Sequence, residues 1–415
     1  MGGKLFSRPC SKPASNSSSN LGITRRNLLA GGLTTVSTLA SAPLFSPRAW
    51  AKADHDRRIL VCVELSGGND GLNTVVPHGD DAYYRQRPTI GIRPGELRRL
   101  DDHFGLNPGM LGFERLWNSG DLAIIHGCGH ERPSYSHFTS MACWHTAAPG
   151  RGDEFGWLGR LADTLDGASE AEVLVNIASA RSLAVKSRLH TPVVFDNPGW
   201  FQRRAFASEP PRRVDAAAGS PGRAFLDDAA GSARNASARI RDAWANYRTP
   251  VDYGRNSLDL PKVAACIEAG LPTRIYHVSY RNNAFDTHVQ QVNLHRRILA
   301  CTADAINGFI RDLERMGEAD RVLVLVYSEF GRRVAENVNL GTDHGSANTM
   351  FLAGKPVIPG HYGTPPSLTE LVDGGNLRHT VDFRQVYATA IDHWLQPGAS
   401  EAVLKGRFES IKALA

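Results

Sequence analysis

The run RVLVLVY at 321–327 restricts the architecture of this chain more than any other segment. Its apolar, β-branched residues are continuous instead of alternating with polar ones. A strand with one face in water alternates, so this pattern reads as a strand of a parallel sheet buried on both sides. A second such run, ILVCVEL at 59–65, reads as the first strand. Further strands are expected at Leu122–Ile125, Val173–Ile177 and Thr273–Val278. Helices are expected at Ser136–Thr146, at Asp259–Gly270 and from about His288 to Met316. In the last of these, Val292, Ile298, Leu299, Ala303, Ile306, Phe309, Ile310 and Leu313 follow helical spacing. Alternating strands and helices argue for an α/β fold, with a mostly parallel sheet covered on both faces.

The first 51 residues are of another kind. Thr24-Arg25-Arg26-Asn27-Leu28-Leu29 is a twin-arginine element. A weakly apolar stretch follows to about Leu44, and Ala49-Trp50-Ala51 has the small-x-small pattern of a signal-peptidase site. The stretch is too short and too rich in Gly, Ser and Thr to anchor the chain in a membrane. Twin-arginine export to the periplasm or beyond is therefore expected, with the export machinery as a partner, and residues 52–415 form the mature domain. The net charge of +5 comes from the signal: its six basic residues, taken from 47, leave 41 against 42 acidic ones. Nothing in that balance calls for a nucleic-acid partner. Five cysteines remain after Cys10 is lost, without a C-x-x-C pair, and the fold is expected not to depend on disulfides. Residues from about 205 to 260 are rich in Arg, Ala and Pro and read as a helical or loop-rich insertion.

Polar motifs stand where the strands end. Glu329, in Ser328-Glu329-Phe330-Gly331-Arg332, follows the 321–327 strand. Asp286 and His288 lie in Phe285-Asp286-Thr287-His288, and Asp343 and His344 in Gly341-Thr342-Asp343-His344-Gly345. Asp70 closes the turn Ser66-Gly67-Gly68-Asn69-Asp70 after the first strand. Functional groups of open α/β sheets gather at such ends. Carboxylates and imidazoles together suit a divalent metal: Zn, Mn, or Mg with more oxygen ligands. Each residue also has a plainer role open to it. Asp70 could close an Asx turn, Asp286 could cap the long helix, and Glu329 could pair with Arg332 or Arg333. Ser136, followed by His137, stands at a helix start where backbone N–H groups favour an anionic ester oxygen, although Ser136 or Ser134 could equally be an N-cap.

The order Ser-Gly-Gly-Asn-Asp-Gly-Leu-Asn, Ser-His-Phe, Phe-Asp-Thr-His, Ser-Glu-Phe-Gly-Arg and Gly-Thr-Asp-His-Gly, with Asp382–Tyr387 near the C-terminus, resembles the exported bacterial domain-of-unknown-function family 1501. The resemblance spans the mature chain. It implies a three-layer α/β/α sandwich of the alkaline phosphatase and sulfatase-like superfamily, with metal ligands at strand ends and a nucleophile at a helix start. Carried over by position, it implies Asp70, Asp286, His288, Glu329, Asp343 and His344 as metal ligands. Ser136 would be the nucleophile, with His137 or His344 aiding proton transfer. Phe330 stands where the superfamily places a ligand His.

Two functions are compatible with these residues. One is a metal-dependent hydrolase of phosphate or sulfate esters, acting on a small-molecule or glycan substrate. The other is a non-catalytic relative that keeps a degenerate metal site for binding or structure.

Overall fold

A computed structural model describes residues 58–165, 172–198, 201 and 236–415. The export signal and most of the expected insertion lie outside the described residues. The strands of the main sheet are β1 (Ile59–Leu65), β2 (Leu122–Gly129), β3 (Leu174–Ile177), β4 (Val193–Phe195), β5 (Ile275–Tyr280), β6 (Val322–Tyr327), β7 (Asn348–Ala353), β8 (Gly360–Tyr362) and β9 (Val381–Asp382). They form one sheet in the order β8-β2-β7-β6-β1-β5-β3-β4, with β9 also paired to β2. β1 lies at its centre, parallel to β5 and β6, with Leu60 opposite Ile275 and Val61 opposite Val324.

The continuous apolar runs are explained by cover on both faces. Ile59, Val61 and Val63 pack on one side with α1 (Leu111–Asn118), α4 (Leu260–Glu268) and α5 (Gln291–Met316). Leu60 and Cys62 pack on the other side with α2 (His137–Thr146), α3 (Trp157–Ala162) and α6 (Phe383–Ala390). There Trp144 stacks on Phe383 with ring centroids 4.2 Å apart, and Trp157 stacks on Tyr387 at 4.1 Å. Fully burying a Val, Leu, Ile or Phe contributes about 1.5–3 kcal/mol, so these two layers carry much of the fold. The five described cysteines are free, three of them buried as small apolar groups. Among the described residues no helix is long and apolar enough to cross a membrane.

Two departures from the expected elements position the site. The long helix begins at Gln291 instead of His288. Gln290 has φ +48° and donates its N–H to Asn339 O, and Gln291 donates to Leu340 O, so residues 286–290 are a loop clamped to a second loop. The other is β7, which runs antiparallel to both β2 and β6. That reversal brings its first residue, Asn348, to the edge where β1, β2 and β6 end.

The loops at this edge touch through backbone. A Cβ on Gly331 would lie 1.9 Å from Ala347 O, and one on Gly341 would lie 2.3 Å from His288 C. Neither position has room for a side chain. Gly331→Ala is expected to cost at least about 1–3 kcal/mol, read as a lower denaturation midpoint. An unchanged midpoint would show that the two loops do not meet.

Candidate metal centre

Three segments converge at the carboxyl edge of the sheet. His137 is the first residue of α2, Asp286 and His288 lie between β5 and α5, and His344 lies between β6 and β7. His137 Nε2 is 3.4 Å from Asp286 Oδ2. Asp286 Oδ1 is 3.0 Å from His288 Nε2 and 3.1 Å from His344 Nε2. The two Nε2 atoms of His288 and His344 are 2.9 Å apart. Donors held about 2.0 Å from one tetrahedral ion stand roughly 3.3 Å from each other, so these spacings fit the edges of such a site. His137, Asp286 and His344 form one compact group of metal-type donors.

The outer hydrogen bonds decide which nitrogens carry protons. His344 Nδ1 lies 2.7 Å from Tyr135 O, an acceptor without a hydrogen, so Nδ1 is the protonated atom of that ring. His137 Nδ1 lies 2.8 Å from Glu329 Oε1, and it donates in the same way. In their neutral forms both rings therefore point bare Nε2 lone pairs at one spot, and His137 Nε2 is buried without a hydrogen-bond partner. Lone pairs facing one another in this way are stabilised by a cation between them. A carboxylate or carbonyl behind each imidazole is how metal-ligating histidines are oriented. The residues fit a divalent ion bound through imidazole nitrogen and carboxylate oxygen, which suits Zn and also Mn.

The charges are arranged to keep Asp286 ionised. Burial pushes its pKa up, but the Arg332 guanidinium, donating at 2.8 Å, outweighs that, and the pKa falls to about 2. The hydrogen bond to Glu329 raises the pKa of His137 against the opposing effect of burial. At His288, burial and the nearby Arg332 both lower it.

The remaining expected residues take other places. Glu329 is buried behind His137. Its Oε1 accepts from His137 and from Gly67 N–H at 2.8 Å, and its Oε2 accepts from Ser328 Oγ at 3.0 Å. The ion pair weighed between Glu329 and Arg332 is made instead by Arg332 and Asp286. Asp70 is held away from the cluster: it accepts from Asn73 N and Gln291 Nε2 and forms a buried ion pair with Arg87 at 2.7 Å. Asp343 lies on the outer side of His288, with Oδ1 3.6 Å from Nδ1 and 3.0 Å from Asn337 Nδ2. Ser136 is the exposed N-cap residue of α2, directly before His137. Phe330 packs against the rings of His137 and His344, at 4.9 and 4.6 Å, and closes the floor of the site.

A second group, Glu64, His145 and His277, is buried beneath α2 and is not signalled by any motif. Its one sequence trace is a carboxylate inside the apolar β1 run. Glu64 Oε2 lies 2.5 Å from His145 Nε2, 3.0 Å from Tyr327 Oη and 3.4 Å from His277 Nε2. Asn176 Oδ1 accepts from Ser182 N, so its Nδ2 faces His277 Nδ1 and O as a donor. His277 thus carries its proton on Nε2, the wrong tautomer for a ligand. This group is a hydrogen-bonded knot centred on a carboxylate and not a metal cradle.

Changing residues in the two layers should separate their roles. Glu329→Gln is expected to weaken zinc binding about 10- to 100-fold, measured by competition with a chelator. Asp70→Ala, which strands a buried guanidinium, is expected to cost about 3–5 kcal/mol of stability while zinc stoichiometry is kept. Loss of zinc from folded Asp70→Ala protein would make Asp70 a ligand after all.

No protein among curated sequences matches the chain. Solved structures that resemble it include the C-terminal periplasmic domain of EcEptC from Escherichia coli in complex with Zn, at 10% identity and TM-score 0.33, covering 72% of this chain and 73% of that one. PsFucS1 sulfatase from Pseudoalteromonas sp. matches at 12% identity and TM-score 0.38, covering 88% and 72%. A protein in the alkaline phosphatase superfamily from Vibrio parahaemolyticus matches at 11% identity and TM-score 0.33, covering 74% and 62%. The sequence profile of the family described as Protein of unknown function (DUF1501) matches residues 57–393, and the chain belongs to that family.

Proposed function

We propose that this protein is an exported, metal-dependent hydrolase of phosphate or sulfate esters. The observation that carries the reading is the pair of bare Nε2 atoms, on His137 and His344, turned inward by Glu329 and Tyr135 O beside the ionised Asp286. A divalent cation held there supplies Lewis-acid stabilisation of negative charge on the ester oxygens. The protein's own groups then have distinct tasks. His137, His344, Asp286 and His288 present the donor atoms. Glu329 keeps the His137 ring turned, and Arg332 keeps Asp286 ionised and in place. With their Nδ1 protons committed to Glu329 and Tyr135 O, His137 and His344 act in this reading as ligands and not as proton carriers.

Ser136 is the proposed nucleophile. It precedes His137 at the start of the ten-residue α2, and its hydroxyl makes no hydrogen bond among the described residues. The first N–H groups of that helix favour an ester oxyanion beside it. Twin-arginine export would deliver the folded protein, metal in place, to the periplasm. Asp70 and Asp343 are proposed as supports of the loops, not as ligands.

The reading is tested by metal analysis of the purified protein and by aryl phosphate and aryl sulfate hydrolysis before and after chelation. Native protein is expected to hold metal and turn over at least one ester class, and chelation or His344→Ala should reduce turnover to background. Ser136→Ala should keep the metal and lose the activity. Metal-free native protein without esterase activity would end this proposal. Metal without turnover would favour the binding function instead.

A further inference from the structure

The geometry points to a second ligand site, apart from the metal donors: a cavity beside β2 that takes a small uncharged hydroxyl compound. The cavity encloses about 50 Å³, roughly the room of four ordered waters. Its walls are largely apolar, with Leu72, Val75 and Phe104 among them, and its buried polar residues are His126, Arg332, Asn348 and Thr349. Two of these are already spent. Arg332 gives its donors to the loops of the metal centre. Asn348 donates Nδ2 to Phe330 O and accepts the Thr349 N–H at Oδ1, both at 2.8 Å. The Thr349 side chain is not spent: its hydroxyl makes no hydrogen bond among the described residues. It lies beside Gly71 in the same wall, where a Cβ would come within 3.3 Å of Oγ1.

His126 is 4% exposed, and the contacts behind it fix its proton. Asp101 Oδ2 stands 3.2 Å from His361 Nε2. A bare lone pair there would face a carboxylate, so that nitrogen carries the hydrogen. His361 Nδ1 then accepts from His126 Nε2 at 2.8 Å, which leaves His126 Nδ1 bare. That atom has no partner among the described residues, and it is not one of the sealed, unpartnered polar atoms. A ring this buried opens only onto the cavity it lines. Phe104 stacks on both imidazoles, with centroids 4.6 Å from His126 and 4.9 Å from His361, and holds the pair in place. Burial and the neighbouring His361 push the pKa of His126 down to about 3, so at neutral pH the ring is an acceptor. A bare acceptor needs a donor, and apolar walls need hydrocarbon. A hydroxyl on a small apolar body supplies both, with Thr349 Oγ1 open to a second hydrogen bond. A pure hydrocarbon would displace water from Nδ1 and leave it unpaired. An anion would face that lone pair and the Asp80 carboxylate, which also lines the cavity. The site therefore differs in ligand chemistry from the metal centre.

The test titrates phenol and fluorobenzene, which are similar in shape and differ in the O–H donor, into the native protein and follows binding by NMR. Benzoate is the charged control. Phenol is expected to bind saturably and at least about tenfold more tightly than either of the others, and inorganic phosphate should not displace it. Thr349→Val, which keeps the side-chain shape, should weaken phenol binding about threefold or more and leave fluorobenzene unchanged. His126→Phe should bring the ratio of phenol to fluorobenzene affinity near one. Where His126→Phe does not fold, Thr349→Val decides alone. Absence of saturable phenol binding, equal affinity for fluorobenzene, or a preference undiminished in a folded variant would overturn the inference. So would displacement of phenol by phosphate, which would place it at the metal centre.

Discussion

Arg332 holds the candidate site together. Its side chain has no exposed surface, and its donors reach Gly68 O at 2.6 Å, Gly67 O at 2.6 Å, Phe285 O at 3.1 Å, Thr342 O at 2.9 Å and Asp286 Oδ1 at 2.8 Å. Those acceptors come from the turn after β1, the loop after β5 and the loop before β7. A planar guanidinium can join three backbone segments at once because its five donors are fixed in one plane, which an ammonium cannot imitate. Burying the charge carries a desolvation penalty, and the one carboxylate that offsets it is Asp286. The same contact draws Asp286 to where His137, His288 and His344 meet. The loops, the ionised carboxylate and the donor cluster thus share one cause.

Much of the fold was legible because continuous apolar runs have few explanations. Ile59–Leu65 and Val322–Tyr327 are central strands in the structure, as their composition requires. β7 was not read, although Met350–Ala353 is apolar, because nothing local distinguishes an antiparallel strand between β2 and β6 from any short buried segment. The start of α5 was misread by three residues: the loop pairing of Gln290 and Gln291 with Asn339 and Leu340 is a tertiary contact, and helical periodicity carries no trace of it.

The candidate site was legible as chemistry and less so as geometry. Asp286, His288 and His344 come together, and they do so from motifs far apart in sequence. His137, expected beside Ser136 in a proton-transfer role, joins them in one group of metal-type donors. Asp70 carries the same side chain as Asp286 but sits against Arg87, a partner 17 residues away that no motif announced. Position after a strand locates a carboxylate at the correct edge of a sheet. It does not say which cation will claim it.

Roles at the two histidine clusters follow from counting what each atom already holds. Glu329 accepts three hydrogen bonds and is fully buried, so it has little left to offer an ion, while its hold on His137 Nδ1 leaves Nε2 bare. Tyr135 O does the same for His344. In the Glu64 knot the outer partner is a donor, Asn176 Nδ2, and it forces the His277 proton to the inner nitrogen. α2 spans both environments, with His137 at its first turn and His145 near its last. One helix therefore presents one imidazole to a group of metal-type donors and another to a place where a carboxylate already satisfies it. The difference lies in the residue behind the ring and not in the ring itself, and for that reason a list of histidines and carboxylates cannot separate the two.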